Sequence, residues 1–110
     1  MTQQSTLDQV AKTKGAHKDV HIIDDKGNVD KDDVDIYTNL GEEVTWIADN
    51  ADSSIDFTDG SPFSGLPSFQ VSAGGNVSSG PVRKDAEPKR YKYTVTGPKG
   101  FNDPGVIIHN

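Results

Sequence analysis

Cysteine is absent from the 110 residues of the chain. Without a thiol, the protein has no disulfide, no thiolate metal site and no cysteine nucleophile. Leucine and methionine are also scarce, with three Leu and one Met against ten Val and seven Ile. Because β-branched side chains suit a pleated sheet better than a helix, this imbalance predicts a mostly β domain.

The chain also has no basic segment and no long apolar run. Its formal net charge is −6, whereas nucleic-acid binding needs a basic face, so we expect no nucleic-acid partner. No stretch is apolar enough to cross a membrane, and residues 1–6 lack the features of a signal peptide. We therefore expect no membrane association and a cytoplasmic protein, or a periplasmic one if a leader has been removed.

The remaining residues suffice for a single domain. Residues 1–18 are polar, and we predict an N-terminal tail here. A short helix over residues 6–14 is conceivable within it, capped by Ser5 and ended by Gly15. The folded domain is predicted over residues 19–110.

The clearest pattern lies in residues 41–57, which contain the only Trp. Val44, Trp46 and Ala48 alternate with other residues, and the alternation resumes after a polar segment. A period of two is typical of a half-buried strand. We interpret the segment as a hairpin whose apolar side chains share one face, which places Trp46 in the core.

Several further segments show strand patterns. They are residues 19–23, 34–37, 68–72, 89–96 and 105–109, with a shorter pairing near Val77. Gly, Pro and Asp-rich turns separate them. Short strands at such intervals predict an all-β fold, an antiparallel Greek-key β-sandwich of about seven strands.

Residues 24–33 carry five Asp and raise the question of calcium, which prefers oxygen ligands. A calcium loop needs ligands at fixed positions, a Gly at the sixth and a Glu at the twelfth, and no register here supplies them. We interpret the segment as a solvated turn. A metal-binding protein that holds copper or calcium with surface His or Asp residues is the alternative function.

The order of the motifs resembles that of the cupredoxins, the blue-copper electron carriers. Residues 41–46 resemble the family's Gly-Asp-x-Val-x-Trp/Phe strand, and residues 91–95 resemble its Tyr-x-Tyr-x-Cys strand. Residues 105–108 resemble the closing Gly-x-Ile-x-Val strand. The resemblance implies a cupredoxin-like Greek-key sandwich over residues 19–110.

The copper ligands of that family have no counterpart in this chain. The resemblance places the first ligand His at Ser53 and the thiolate at Val95, and residues 96–104 contain neither His nor Met. A blue-copper site needs two His and one Cys. We therefore expect no copper site and no other cofactor. The histidines present, His17, His21 and His109, match no ligand position of the family.

No nucleophile elbow and no HExxH arrangement occurs, so we expect no enzyme. The preferred hypothesis is a binding or structural module whose protein partner and oligomeric state are unknown. Phe63 and Leu66 are the candidate partner-binding residues, because Gly and Pro hold residues 60–67 out of the sheets. In cupredoxins redox partners dock on an apolar rim at the copper end, and the resemblance implies such a rim here. The alternative is that both side chains plug the open end of the sandwich.

Overall fold

The computed structural model describes residues 17–110 and consists of short strands and one 3₁₀ turn at Thr38–Leu40. The strands are β1 His17–Ile22, β2 Asp33–Tyr37, β3 Glu43–Ala48, β4 Ser53–Asp56, β5 Ser68–Val71, β6 Asn76–Ser78, β7 Arg90–Lys92, β8 Thr94–Gly97, β9 Gly100–Asn102 and β10 Gly105–His109. β1 begins at His17 rather than at Asp19. The helix predicted over residues 6–14 lies outside the described residues. Within the described part, no helix is long and apolar enough to cross a membrane.

The strands form two packed layers. One layer has the order β1-β3-β6. The other joins β5-β4-β8-β9 to β2-β10-β7, because Tyr93, between β7 and β8, donates its N–H to the carbonyl of Pro104, between β9 and β10, at 2.9 Å. The predicted all-β Greek-key sandwich is confirmed, with ten strands in residues 17–110 instead of about seven. Two pairings, β1 with β3 and β2 with β10, are parallel, so the sheets are mixed.

The hairpin predicted for residues 41–57 is wrong. β3 pairs with β1 and β6, whereas β4 pairs with β5 and β8, so the two strands lie in different layers. Their apolar residues still share one core, since the rings of Trp46 and Phe57 have centroids 6.1 Å apart. An alternation of period two identifies the buried side chains. The same alternation occurs in strands paired within one sheet and in strands that face each other across a core, so it does not show which strands are paired.

The strand predicted for residues 89–96 is divided at Tyr93. β7 pairs with β10, and β8 pairs with β4 and β9. The inward alternation continues through the division, because Tyr93 and Val95 are both buried. The turn predicted at residues 97–104 contains β9, which the sequence did not reveal because a strand of three residues is too short to show a period.

The core is aromatic at its centre. Trp46 is fully buried, as predicted, and its ring centroid lies 5.5 Å from those of both Phe69 and Tyr93. Aliphatic residues of both layers surround this cluster, among them Val20, Ile22, Val44, Ile55, Val95, Val106 and Ile108. Burying each aliphatic side chain contributes about 1.5–3 kcal/mol, so this small core supplies most of the stability.

The turn after β1 packs directly on the hairpin formed by β8 and β9. The N–H of Lys99 donates to the carbonyl of Asp25 at 2.8 Å. A Cβ at Gly97 would overlap that carbonyl, and a Cβ at Gly27 would overlap the carbonyl of Val95. Gly27 also has a φ of +79°, in the left-handed region. Glycine is therefore required at both positions for backbone to pack on backbone.

Candidate functional site

The loop predicted to bind a partner, residues 60–67, divides its two large apolar side chains between core and solvent. Phe63 is only 2% exposed, and its ring packs edge-on against Phe57 at a centroid distance of 5.9 Å. Leu66 is 73% exposed. Phe63 therefore plugs the sandwich and cannot be an exposed contact in this fold. Leu66 is the member of the pair that solvent reaches, and partner binding there stays a prediction.

The loop lies at the opposite end of β4 from Ser53. Ser53 is the first residue of β4, and residues 60–67 follow the last residue of the same strand. The resemblance placed a copper ligand at Ser53, so Leu66 does not belong to a rim around that end. The argument from a copper-end rim is wrong for this loop, and its surface has to be judged on its own geometry.

Main-chain hydrogen bonds hold the loop on the sandwich. The N–H of Ser64 donates to the carbonyl of Pro81 at 3.0 Å, and the N–H of Phe57 donates to the carbonyl of Pro67 at 2.8 Å. Together with the buried ring of Phe63, these bonds fix the backbone on both sides of Leu66. The exposed leucine is thus presented on an ordered loop.

The positions that the resemblance assigns to copper hold no ligand. Ser53 is buried and its Oγ donates to the carbonyl of Ala51 at 3.1 Å. Val95 is fully buried and faces Ile55 on the neighbouring strand. Within residues 17–110, no three His, Asp or Glu side chains are grouped to hold a metal ion. With no Cys in the sequence, this part of the chain offers no blue-copper ligand set.

The three histidines lie in separate, solvent-accessible pairs with carboxylates. The pairs are His17 with Asp19 at 3.4 Å, His21 with Asp49 at 2.9 Å and His109 with Asp35 at 3.0 Å. The hydrogen bond to Asp49 raises the pKa of His21. Each imidazole is thus paired with a different carboxylate, and no two histidines share the same aspartate.

Acidic side chains of residues 24–33 accept hydrogen bonds from nearby parts of the protein itself. Asp24 accepts the backbone N–H of Asn28 at 3.1 Å and its side-chain amide at 2.7 Å. The side-chain bond is the main reason that the pKa of Asp24 is lowered. Asp33, at the start of β2, accepts a hydrogen bond from Nε of Arg90 at 2.8 Å. The interpretation of this segment as a turn is confirmed.

A groove that the sequence did not reveal lies on the outer face of the β5-β4-β8-β9 sheet. It has a volume of about 270 Å³ and is open to solvent, and its lining consists of Asp52, Ser53, Ser54, Gln70, Thr96 and Pro98. Ser54, Gln70 and Thr96 are outward positions of strands that the alternation did predict. The pattern could not show that β4 lies between β5 and β8, because the predicted hairpin paired β4 with β3.

Two polar atoms are buried at the centre of the core, the Nε1 of Trp46 and the hydroxyl of Tyr93. The two rings meet edge to face, yet within residues 17–110 neither atom has a hydrogen-bond partner. Burial raises the pKa of Tyr93 to about 12, and the neighbouring indole N–H of Trp46 opposes part of this rise. The phenol therefore stays protonated at neutral pH, and its hydroxyl is buried at a cost in free energy.

No protein-family model matches the chain, and no curated protein matches its sequence. Solved structures of amicyanin do match it, among them a proline-to-glycine mutant in the reduced Cu(I) form and two methionine mutants with Cu(I). Each is 18% identical, and the match covers 91% of this chain and 89% of the amicyanin chain. The TM-scores are 0.57, 0.57 and 0.58.

This likeness concerns the fold. The chain is a cupredoxin-like β-sandwich, as the order of its motifs predicted. It carries that fold without the copper ligands, because the sequence has no Cys and the described residues form no metal-binding group. At 18% identity the likeness says nothing about activity or partner.

Proposed function

We propose that the chain is a non-enzymatic, cupredoxin-like binding module that works without copper and holds a protein partner at Leu66. The observation that carries this proposal is the exposure of Leu66, at 73%, on a loop whose neighbouring aromatic residue is anchored in the core. A large apolar side chain in water gains free energy when a partner covers it. An exposed apolar side chain on an ordered loop backbone is therefore a suitable centre for an interface.

The anchoring of the loop supports the proposal on energetic grounds. Binding normally costs about 0.5–1.5 kcal/mol for each flexible side chain that is immobilised, and more when a loop must be ordered. Here Phe63 and the hydrogen bonds of Ser64 and Phe57 order the backbone before any partner arrives. Covering a leucine side chain contributes about 1.5–3 kcal/mol, which corresponds to roughly a tenfold gain in affinity or more.

A non-enzymatic role is supported by the surroundings of the histidines. Nucleophilic catalysis by serine needs a base within hydrogen-bond reach of the hydroxyl. Within residues 17–110, each imidazole is paired with a carboxylate, and none hydrogen-bonds to a serine or threonine hydroxyl. No specific observation among the described residues favours the alternative of a metal-binding protein.

The experiment compares the wild type with Leu66→Ser and with a control, Ile23→Ser. Ile23 is 44% exposed, so both substitutions remove an exposed apolar side chain and should leave the melting temperature nearly unchanged. Immobilised proteins are incubated with a native lysate of the source organism, and the retained proteins are identified. We expect a partner that the wild type and Ile23→Ser retain and that Leu66→Ser loses by about tenfold or more.

The opposite results would reject the proposal. If Leu66→Ser retains the same proteins as the wild type, Leu66 is not the contact. If Leu66→Ser melts well below the wild type while Ile23→Ser does not, the leucine contributes to the stability of the fold and is not an exposed contact.

A further inference from the structure

The outer face of the β5-β4-β8-β9 sheet carries a row of side chains in cross-strand register. Gln70 faces Ser54, Ser54 faces Thr96, and Thr96 faces Phe101. Residues directly opposite each other in antiparallel strands project from the same face. With neighbouring strands about 4.8 Å apart, the row is about 14 Å long. Three hydrogen-bonding side chains are thus followed by one aromatic ring on a single surface.

The polar part of this row is free to bind a ligand. Within residues 17–110, the side chains of Ser54, Gln70 and Thr96 make no hydrogen bond to another residue, in contrast to Ser53, whose hydroxyl donates to Ala51. Two hydroxyls and one amide offer donors and acceptors together. They line the groove of about 270 Å³, just below the roughly 300 Å³ at which drug-sized ligand sites begin.

The ring at the end of the row is unusually accessible. Phe101 is 69% exposed on β9, which in residues 17–110 is an edge strand paired with β8. Its neighbour across the ladder is Thr96, which lines the groove. A flat apolar surface therefore lies beside a hydrogen-bonding groove, an arrangement that suits a ligand with one apolar face and a polar rim.

The charges of the groove lining restrict the class of ligand that the groove can bind. Asp52 is the charged member of the groove lining, and its Oδ1 already accepts the N–H of Ala73 at 2.9 Å. No lining residue is basic, so an anionic ligand would find no opposite charge. Lys99, beside Pro98 in the chain, has its ammonium 3.8 Å from a carboxylate oxygen of Asp25. The lining therefore disfavours an anionic ligand, and its hydroxyl and amide groups can hydrogen-bond an uncharged ligand that needs no counter-charge.

We propose that this groove and Phe101 together bind a neutral carbohydrate. The hydroxyls of a pyranose ring hydrogen-bond to Gln70, Ser54 and Thr96, and the C–H face of the same or the next ring packs on Phe101. The groove accommodates part of the sugar, and the rest of a longer chain lies along the open face. This site is separate from Leu66, which follows the other end of β4, so either proposal can fail without the other.

The test titrates the ¹⁵N-labelled protein with soluble oligosaccharides and follows its amide resonances by NMR. The neutral probes are cellohexaose, maltohexaose and mannohexaose, and the charged controls are hexagalacturonate and hexalysine. We expect at least one neutral probe to shift the amides of Gln70, Thr96 and Phe101 in a saturable manner, with Leu66→Ser binding as the wild type does.

Two variants test the assigned side chains. Phe101→Ala should weaken binding of that probe about tenfold or more, because the apolar contact is lost. Thr96→Val keeps the shape and removes the hydroxyl, and should weaken binding about two- to tenfold. Both residues are exposed, so melting temperatures should stay close to that of the wild type. The proposal is overturned if no neutral probe binds, if only a charged probe binds, or if Phe101→Ala binds unchanged.

Discussion

The buried hydroxyl of Tyr93 leads to a prediction about a single atom. Tyr93 is 1% exposed, and within the described residues its hydroxyl lacks a hydrogen-bond partner. Burying an unsatisfied polar group costs about 1–3 kcal/mol. Tyr93→Phe removes that group and keeps the ring in contact with Trp46 and Phe57. We therefore expect the substitution to raise the free energy of unfolding by about 1–2 kcal/mol.

The assay is urea unfolding monitored by the fluorescence of Trp46, the single tryptophan. For slopes of about 1–3 kcal/mol per molar urea, a gain of this size moves the midpoint upward by roughly 0.3–2 M. Tyr91→Phe is the matched control, since Tyr91 is partly exposed. Its effect should stay within about 0.5 kcal/mol.

Alkaline pH offers a second measurement on the same group. The pKa of Tyr93 is about 12 in the folded protein, against 10 for an ordinary tyrosine side chain. The unfolded chain therefore loses the phenolic proton first, and stability falls as pH rises from 10 towards 12, by about 3 kcal/mol in all. Tyr93→Phe should lack this part of the alkaline loss, whereas Tyr91→Phe should retain it.

A loss of about 1 kcal/mol or more in Tyr93→Phe at neutral pH would refute the reasoning. It would mean that the hydroxyl has a partner in solution, either the indole N–H of Trp46 or a buried water molecule. Equal alkaline slopes for the wild type and Tyr93→Phe would also contradict it, because the phenol would then titrate as it does in the unfolded chain.

Three further predictions follow from contacts described above. Trp46→Ala should cost about 3–5 kcal/mol in urea unfolding followed by circular dichroism, and a loss below about 1 kcal/mol would contradict its central position. Gly97→Ala should cost about 1–3 kcal/mol, because the new methyl group would overlap the carbonyl of Asp25, and an unchanged melting temperature would show that the turn moves freely. In an NMR titration, His21 should have a pKa above 6.5 that Asp49→Asn lowers. Any stability from this pair is present below pH 6.5 and is lost as pH rises through the raised pKa, so equal titration curves would refute the pairing.

The buried faces of the strands could be predicted from the sequence, whereas their partners could not. The alternation around Trp46 and around Val95 correctly identified inward side chains. It could not assign β3 and β4 to separate layers, because period-two burial is the same within a sheet and across a core. The parallel pairing of β1 with β3 was missed for the same reason.

The candidate sites depend on this missing information. Gly and Pro correctly indicated that residues 60–67 leave the sheets, but only packing decides that Phe63 turns inward and Leu66 outward. Predicting the groove would require knowing that Gln70, Ser54 and Thr96 are neighbours on three adjacent strands. These residues are far apart in sequence, and none of them carries a motif.

The parallel pairing of β2 with β10 has a consequence for synthesis of the protein on the ribosome. The side chains of Asp35 and His109 hydrogen-bond across this pair although the two residues are 74 positions apart in the chain. At about 5–20 residues per second, β2 emerges roughly 4–15 s before its partner exists. Among residues 17–110, β10 is the strand that pairs with β2. During this interval the backbone of β2 therefore lacks this partner and is open to association with other nascent chains. Mutations that slow the pairing of β10 with β2 should therefore reduce the yield of folded protein in cells more than they reduce the free energy of unfolding measured in vitro.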